Sequence, residues 1–280
     1  MNFRFLDRWF RRLAKCPAPL RLLGFLLTLA LLWLPVLGLG SWAIADPNLR
    51  SILTLICLYL QFIALVRRWG RIAHAEPAVL KRFGLRGGRR FWLEQGLGLW
   101  IGAALVLVMF GLEAALDWAV WLAPSENFGR IAVEGLLMSL AIGFAEELLF
   151  RGWMWDELRR DYGFMATLWS TAVVFALLHF LKPWSEILRT WPQFFGLVLL
   201  GVILNWARQV TRGRLGLALG LHAGLVWGYY LVNVGQLSQV TGRVPDWVTG
   251  VDGNPLAGLV GLMFLAGIWR ALFHLRPNIR

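Results

Sequence analysis

The sequence predicts an all-α fold, a polytopic membrane bundle of about eight transmembrane helices, and three observations carry that expectation. Of 280 residues, 58% are hydrophobic and the mean hydropathy is +0.61, well above an ordinary soluble domain. The apolar residues gather in blocks close to the ~20 residues that span a bilayer. The cations fall between alternate blocks.

The blocks lie at roughly 22–43, 51–66, 92–112, 131–150, 164–180, 192–209, 214–235 and 255–273. The second and fifth are the shortest. Ala43-Ile44-Ala45 has the small-x-small pattern of a signal cleavage site. The block before it is longer than a signal core, which favours an uncleaved first helix. The net charge is +12, and 25 of the 28 Lys and Arg residues are arginine. With both termini cytoplasmic and eight spans, 23 of those cations fall on inside segments and five (Arg50, Arg130, Lys182, Arg189, Arg243) outside. This is the positive-inside pattern, so the surplus reads as orientation and argues against a nucleic-acid partner.

Three regions are expected: 1–130 with about three spans, a core at 131–235, and a C-terminal loop and last helix at 236–280. Residues 67–90 form a basic cytoplasmic loop broken by Gly84, Gly87 and Gly88, suited to anionic membrane lipid. The 109–121 segment, with Glu113 and Asp117, is expected as an interfacial helix. Cys16 and Cys57 are too few for a disulfide framework or zinc ribbon.

Ionisable residues inside a span are costly, so they mark function. The fourth block carries Glu146, Glu147 and Arg151. Glu147 and Arg151 stand at i and i+4 on one helix face and can pair. Glu146 points about 100° away and is left free. A free, buried carboxylate beside a like charge suits a general base, while a structural charge cluster is the plain alternative. Of the four histidines, His74 and His274 fall at surface positions, and His179 and His222 lie in apolar blocks.

Residues 151–160 can continue the fourth helix to a turn at Asp161-Tyr162-Gly163, with Gly163 as its stop. Glu146 and His179 are then nearly equidistant from that turn, so an antiparallel hairpin sets them at one height. His222 must come from the seventh span. Gly220, Gly224 and Gly228 there form a small-residue stripe, expected to bring that helix against the fourth and fifth.

Glu146-Glu147-x-x-x-Arg151, Phe175-x-x-x-His179 and His222 together resemble the three-motif signature of the CAAX protease and bacteriocin-processing family, intramembrane endopeptidases that include the type II CAAX prenyl proteases. The resemblance covers about 131–235. It implies that Glu146 activates water with help from His179, that Glu147 and Arg151 support the site, and that His222 stabilises the oxyanion. Phe175 and Val226 are expected on the substrate side, and the substrate is a membrane-embedded or lipidated peptide. No cofactor is expected. Zinc stays open, with Glu146, His179 and His222 as its ligands if the enzyme is a metalloprotease.

The family usually has Asn or Asp where this chain has Val226. Valine cannot donate to an oxyanion, and losing one such donor costs ~10²–10³ in rate. Trp227 is the nearest replacement and Asn233 a distant one. Besides an active peptidase, two readings therefore remain: a non-catalytic relative that binds a peptide or partner protein, and a proton-coupled transporter.

Overall fold

The structure is a computed structural model and describes residues 3–275. Of the three basic residues expected in the C-terminal tail, Arg276 and Arg280 lie outside the described residues. In chain order the first helices are α1 (Phe3–Leu13), α2 (Ala18–Ala43), α3 (Pro47–His74), α4 (Val79–Arg82) and α5 (Gly88–Ala115). Next come α6 (Phe128–Glu147), a π-helical segment Leu148–Met154, and α7 (Trp155–Asp161). The series continues with α8 (Phe164–Leu178), α9 (Trp184–Thr190), α10 (Gln193–Val210) and α11 (Gly216–Asn233). It closes with α12 (Asp246–Thr249) and α13 (Leu259–His274). A two-stranded antiparallel ladder joins β1 (Ala119–Trp121) to β2 (Ser238–Val240).

Each apolar block falls on a helix, and the molecule is an α-helical polytopic membrane bundle. Among the described residues, five helices have the length and apolar composition of a span: Ala18–Ala43, Pro47–His74, Gly88–Ala115, Phe128–Asp161 and Gln193–Val210. Phe164–Leu178 and Leu259–His274 are apolar but shorter.

Two compact units are present, Met1–Arg82 with Trp153–Gly163 and Phe83–Gly152 with Phe164–Arg280. They interleave along the chain, whereas the expected regions 1–130, 131–235 and 236–280 are consecutive. In the first unit, Asp46 caps α3 by accepting the Leu49 N–H at 2.6 Å, with Pro47 opening the helix. α2 and α3 run antiparallel, tied by the Trp33 indole to the Thr54 carbonyl at 3.0 Å. Phe10, Phe25, Phe62, Trp69 and Trp153 build its aromatic core.

The chief surprise of that unit is His74. It sits at the end of α3, largely buried, with Nε2 2.7 Å from the Glu157 carboxylate. Glu157 also accepts from Trp69 Nε1 at 2.7 Å and Arg21 Nε at 2.8 Å. The surface assignment of His74 is corrected because α3 extends eight residues past the apolar block, to His74. The expected loop 67–90 is accordingly half helix, though the three glycines do break it, at φ +108°, +62° and +82° for Gly84, Gly87 and Gly88. His274 is exposed, as expected.

The second unit is built on α5, α6, α8, α10, α11 and α13. The glycine stripe of α11 meets α5, a correction to the expected contact with the fourth and fifth spans. A Cβ at Gly220 or Gly224 would strike the backbone carbonyls of Gln95 and Leu99, and one at Gly228 would lie 3.1 Å from the Ala103 Cα. The opposing glycines Gly98 and Gly102 stand against α11 in the same way: a Cβ at either would lie 2.6 Å from the Leu217 or the Leu221 carbonyl oxygen. Glycines on both sides allow main chains to touch. The α6 contact runs through Gly143 against Ala223 and Leu219.

Two further expectations change. Residues 109–115 finish α5 and 119–121 form β1, so no interfacial helix covers 109–121; Glu113 is buried at 1% exposure. The helix α7 does end at the anticipated turn. Its last cap residue is Tyr162, in extended conformation, and Gly163 has no positive φ.

Candidate active site

Two carboxylates and two imidazoles converge within the second unit. α6 delivers Glu146 and Glu147 in its last turn, and the π-helical segment begins at the next residue. Such π-bulges concentrate at functional sites because the extra residue per turn re-aims side chains. α8 delivers Phe175, and His179 follows immediately after its last residue. α11 delivers His222.

The Glu147–Arg151 pair forms as the i, i+4 spacing predicts, Nη1 to Oε1 at 3.0 Å, with both side chains fully buried. The same Oε1 lies 2.8 Å from His222 Nδ1. A carboxylate oxygen can only accept, so Nδ1 carries a proton and donates it. Arg151 also donates through Nη2 to the Gly201 carbonyl at 3.3 Å. Its guanidinium carbon stands 4.4 Å from the centre of the Phe175 ring, in cation–π range.

Glu146 is the free partner. Its side chain is 25% exposed, and Oε2 has no hydrogen-bond partner. That oxygen lies 4.0 Å from His179 Nε2 and 3.9 Å from His222 Nε2. Both separations exceed a direct hydrogen bond. His179 Nδ1 donates to the Phe175 carbonyl at 2.8 Å, which turns Nε2 toward Glu146. The equal-arm hairpin expectation is met in this contact. Each histidine is thus held at one nitrogen and presents the other to the same carboxylate.

Phe175 is fully buried, with His179 and His222 rings 4.6 and 6.0 Å away and Phe150 edge-on at 5.2 Å. Phe175 packs against both imidazoles and the guanidinium as a platform. Val226 lines a cavity that His222 also lines. Trp227 donates its indole N–H to the Ala132 carbonyl at 2.9 Å and is committed there. Asn233 lies elsewhere, on the rim of a cavity shared with Gln236 and Ser238.

Ligands ~2.1 Å from a tetrahedral zinc stand about 3.4 Å from one another. The 3.9 and 4.0 Å separations from Glu146 are wider, and among the described residues no group of three His, Cys, Asp or Glu has metal-holding geometry.

Sequence reasoning missed the Gly201 carbonyl, the Phe175 platform and the π-helical segment. Each arises from contacts between distant segments, which leave no local period to read. The one available signal was Phe175 at four residues before His179, a spacing that stacks the two on one helix face.

Residues 128–228 match the family model described as type II CAAX prenyl endopeptidase Rce1-like. The match opens on the first residue of α6 and takes in Glu146, Glu147, Arg151, Phe175, His179, His222 and Val226. No curated protein and no solved structure matches the chain.

Proposed function

We propose that the chain is a membrane endopeptidase of the CAAX protease family, which its 128–228 segment resembles, and that Glu146 is the general base of its hydrolytic site. The supporting observation is the unpaired Glu146 Oε2 facing two imidazole nitrogens at 3.9 and 4.0 Å. Glu146 takes a proton from water, and the resulting hydroxide attacks the scissile carbonyl carbon. The proton held on Glu146 then passes to the departing amine, so the cycle closes without another reagent.

His179 orients the water through Nε2. His222 carries a proton on Nδ1 because Glu147 accepts it there. When Nε2 is also protonated, the imidazolium donates to the oxyanion, and Glu147 stabilises that charged ring. Arg151 holds Glu147 in place. The substrate is a membrane-embedded or lipidated peptide, the bilayer supplies the lipid partner, and both termini face the cytoplasm.

The test is cleavage of membrane-inserted and lipidated peptides by the purified protein, beside Glu146→Gln and His179→Ala. Loss of cleavage in both variants, unchanged by a chelator, is the expected result. Chelator-sensitive cleavage restored by zinc would replace the glutamate mechanism with a metal one. Peptide binding that survives both substitutions without any cleavage would leave the non-catalytic binding reading in its place.

A further inference from the structure

The N-terminal helix α1 carries a face that the hydrolytic site does not use. Taken around its axis at ~100° per residue, the helix and the turn after it divide into three arcs. Leu6, Phe10 and Leu13 are buried within the first unit. Phe5 and Trp9, one turn apart, form an exposed aromatic arc beside them. Arg4, Arg8, Arg11 and Lys15, spaced i, i+4, i+7 and i+11, form an exposed basic arc, and exposed Arg12 lies between it and the aromatics. The one acid of the helix, Asp7, is taken up by Arg68 of α3 at 2.6 Å. Among the described residues, no acid pairs with any of the five cations.

The packing of α1 also fixes its depth. The helix folds back antiparallel along the start of α2. Leu13 fills the space beside Gly24, where a Cβ would lie 2.7 Å from its Cδ1. Phe10 stacks on Phe25 at 6.5 Å, and Trp9 Nε1 donates to Thr28 Oγ1 at 3.1 Å. Gly24, Phe25 and Thr28 lie in the first turns of the apolar block that begins near residue 22. A helix held at that level lies where a bilayer changes from headgroups to acyl chains. The orientation rule counts cations and is indifferent to the helix face they occupy, so it does not account for this sorting into arcs.

We propose that the exposed face of α1 is an interfacial docking face for anionic phospholipid. The basic arc meets the lipid phosphates, the aromatic arc lies against the upper acyl chains, and the buried arc fixes the helix to the first unit. Charge complementarity chooses the occupant, since five unpaired cations along one short helix attract an anionic leaflet. The adjoining Phe5 and Trp9 favour a bilayer over a soluble anion, because a dissolved partner offers them no apolar layer. The assignment does not depend on the peptidase reading.

Two measurements test it. In the first, the full-length protein in neutral detergent is offered equal amounts of phosphatidylglycerol and phosphatidylcholine, and bound lipid is counted by native mass spectrometry. Phosphatidylglycerol should be retained about tenfold over phosphatidylcholine. Arg8→Glu with Arg11→Glu should bring the two within about twofold, whereas Arg8→Lys with Arg11→Lys should keep the preference. The same reversal at Arg86 and Arg89, exposed cations of the basic 67–90 stretch, should leave it in place. Equal retention of the two lipids by the native protein overturns the proposal. So does equal loss in the two reversed pairs, which would make the attraction a diffuse property of the basic surface.

The second measurement does not require the reversed helix to fold. With Cys16 and Cys57 replaced by serine, nitroxide labels at Phe5→Cys and Arg8→Cys are read in liposomes of the same two lipids. The label at position 5 should be the more accessible to oxygen, and the label at position 8 to a water-soluble nickel complex. Without that contrast α1 is either free in water or sunk among the chains, and the proposal falls.

Discussion

At the scale of single residues, two adjacent glutamates stand in different surroundings, which suits the proposed division between support and chemistry. Glu147 is buried and receives Arg151 and His222 on one oxygen, while Glu146 keeps an unpaired oxygen toward the histidines. That division was legible in the sequence, because i, i+4 spacing and a 100° offset are local geometry. Glu147→Gln removes the charge that supports a protonated His222. It should lower kcat ~10²-fold or more with little change in KM, as loss of an orienting carboxylate does in related arrangements. Steady-state kinetics on any cleaved peptide checks this, and a change confined to KM would count against the assigned role. Arg151→Met leaves Glu147 buried and uncompensated, which costs ~3–5 kcal/mol. Thermal unfolding in detergent should show a large drop, and the double variant Glu147→Gln with Arg151→Met should recover part of it. The Phe175 platform could not be read in the same way, since its partners come from three helices.

At the scale of elements, the small residues of α5 and α11 fix where His222 stands. The sequence announced a close packing through its glycine stripe. It could not say which helix fills the groove, because the complementary glycines of α5, Gly98 and Gly102, form no motif with those of α11. The contact predicts a sharp contrast between two glycines. At Gly224 a Cβ meets the Leu99 backbone, which no rotamer change relieves. Gly224→Ala should destabilise the protein by about 1–3 kcal/mol and lower activity through the displaced His222. Gly96→Ala on α5 has open space around it and should raise stability slightly, by about 0.5–1 kcal/mol. Paired melting curves decide the point, and equal effects at both sites would remove the packing argument. In the first unit, α7 is held by Glu157, which gathers Arg21, Trp69 and His74. The apolar pattern hid this network, because its members are the polar residues at the helix ends.

At the scale of the whole molecule, helix existence and placement were readable because long apolar runs are strong signals. The interleaving of the two units was not, since it depends on where 153–163 packs. Orientation is the remaining large-scale property, and the cation distribution makes a definite prediction about it. Moving the basic 67–90 stretch across the bilayer would carry eight Lys and Arg residues to the wrong side. Short loops with that bias stay cytoplasmic. The segment between α5 and α6 has no cation, Arg130 in the first turn of α6 is the nearest one, and this side is expected outside. With Cys16 and Cys57 replaced by serine, single cysteines at the exposed positions Ala78 and Ser125 report the two sides. A membrane-impermeant thiol reagent added to intact cells should label Ser125→Cys and spare Ala78→Cys until the cells are opened. The reversed pattern would overturn the proposed topology. Labelling of both positions from outside would mean that α5, the single span between them, does not cross, and would remove the loop-by-loop alternation on which the orientation rests.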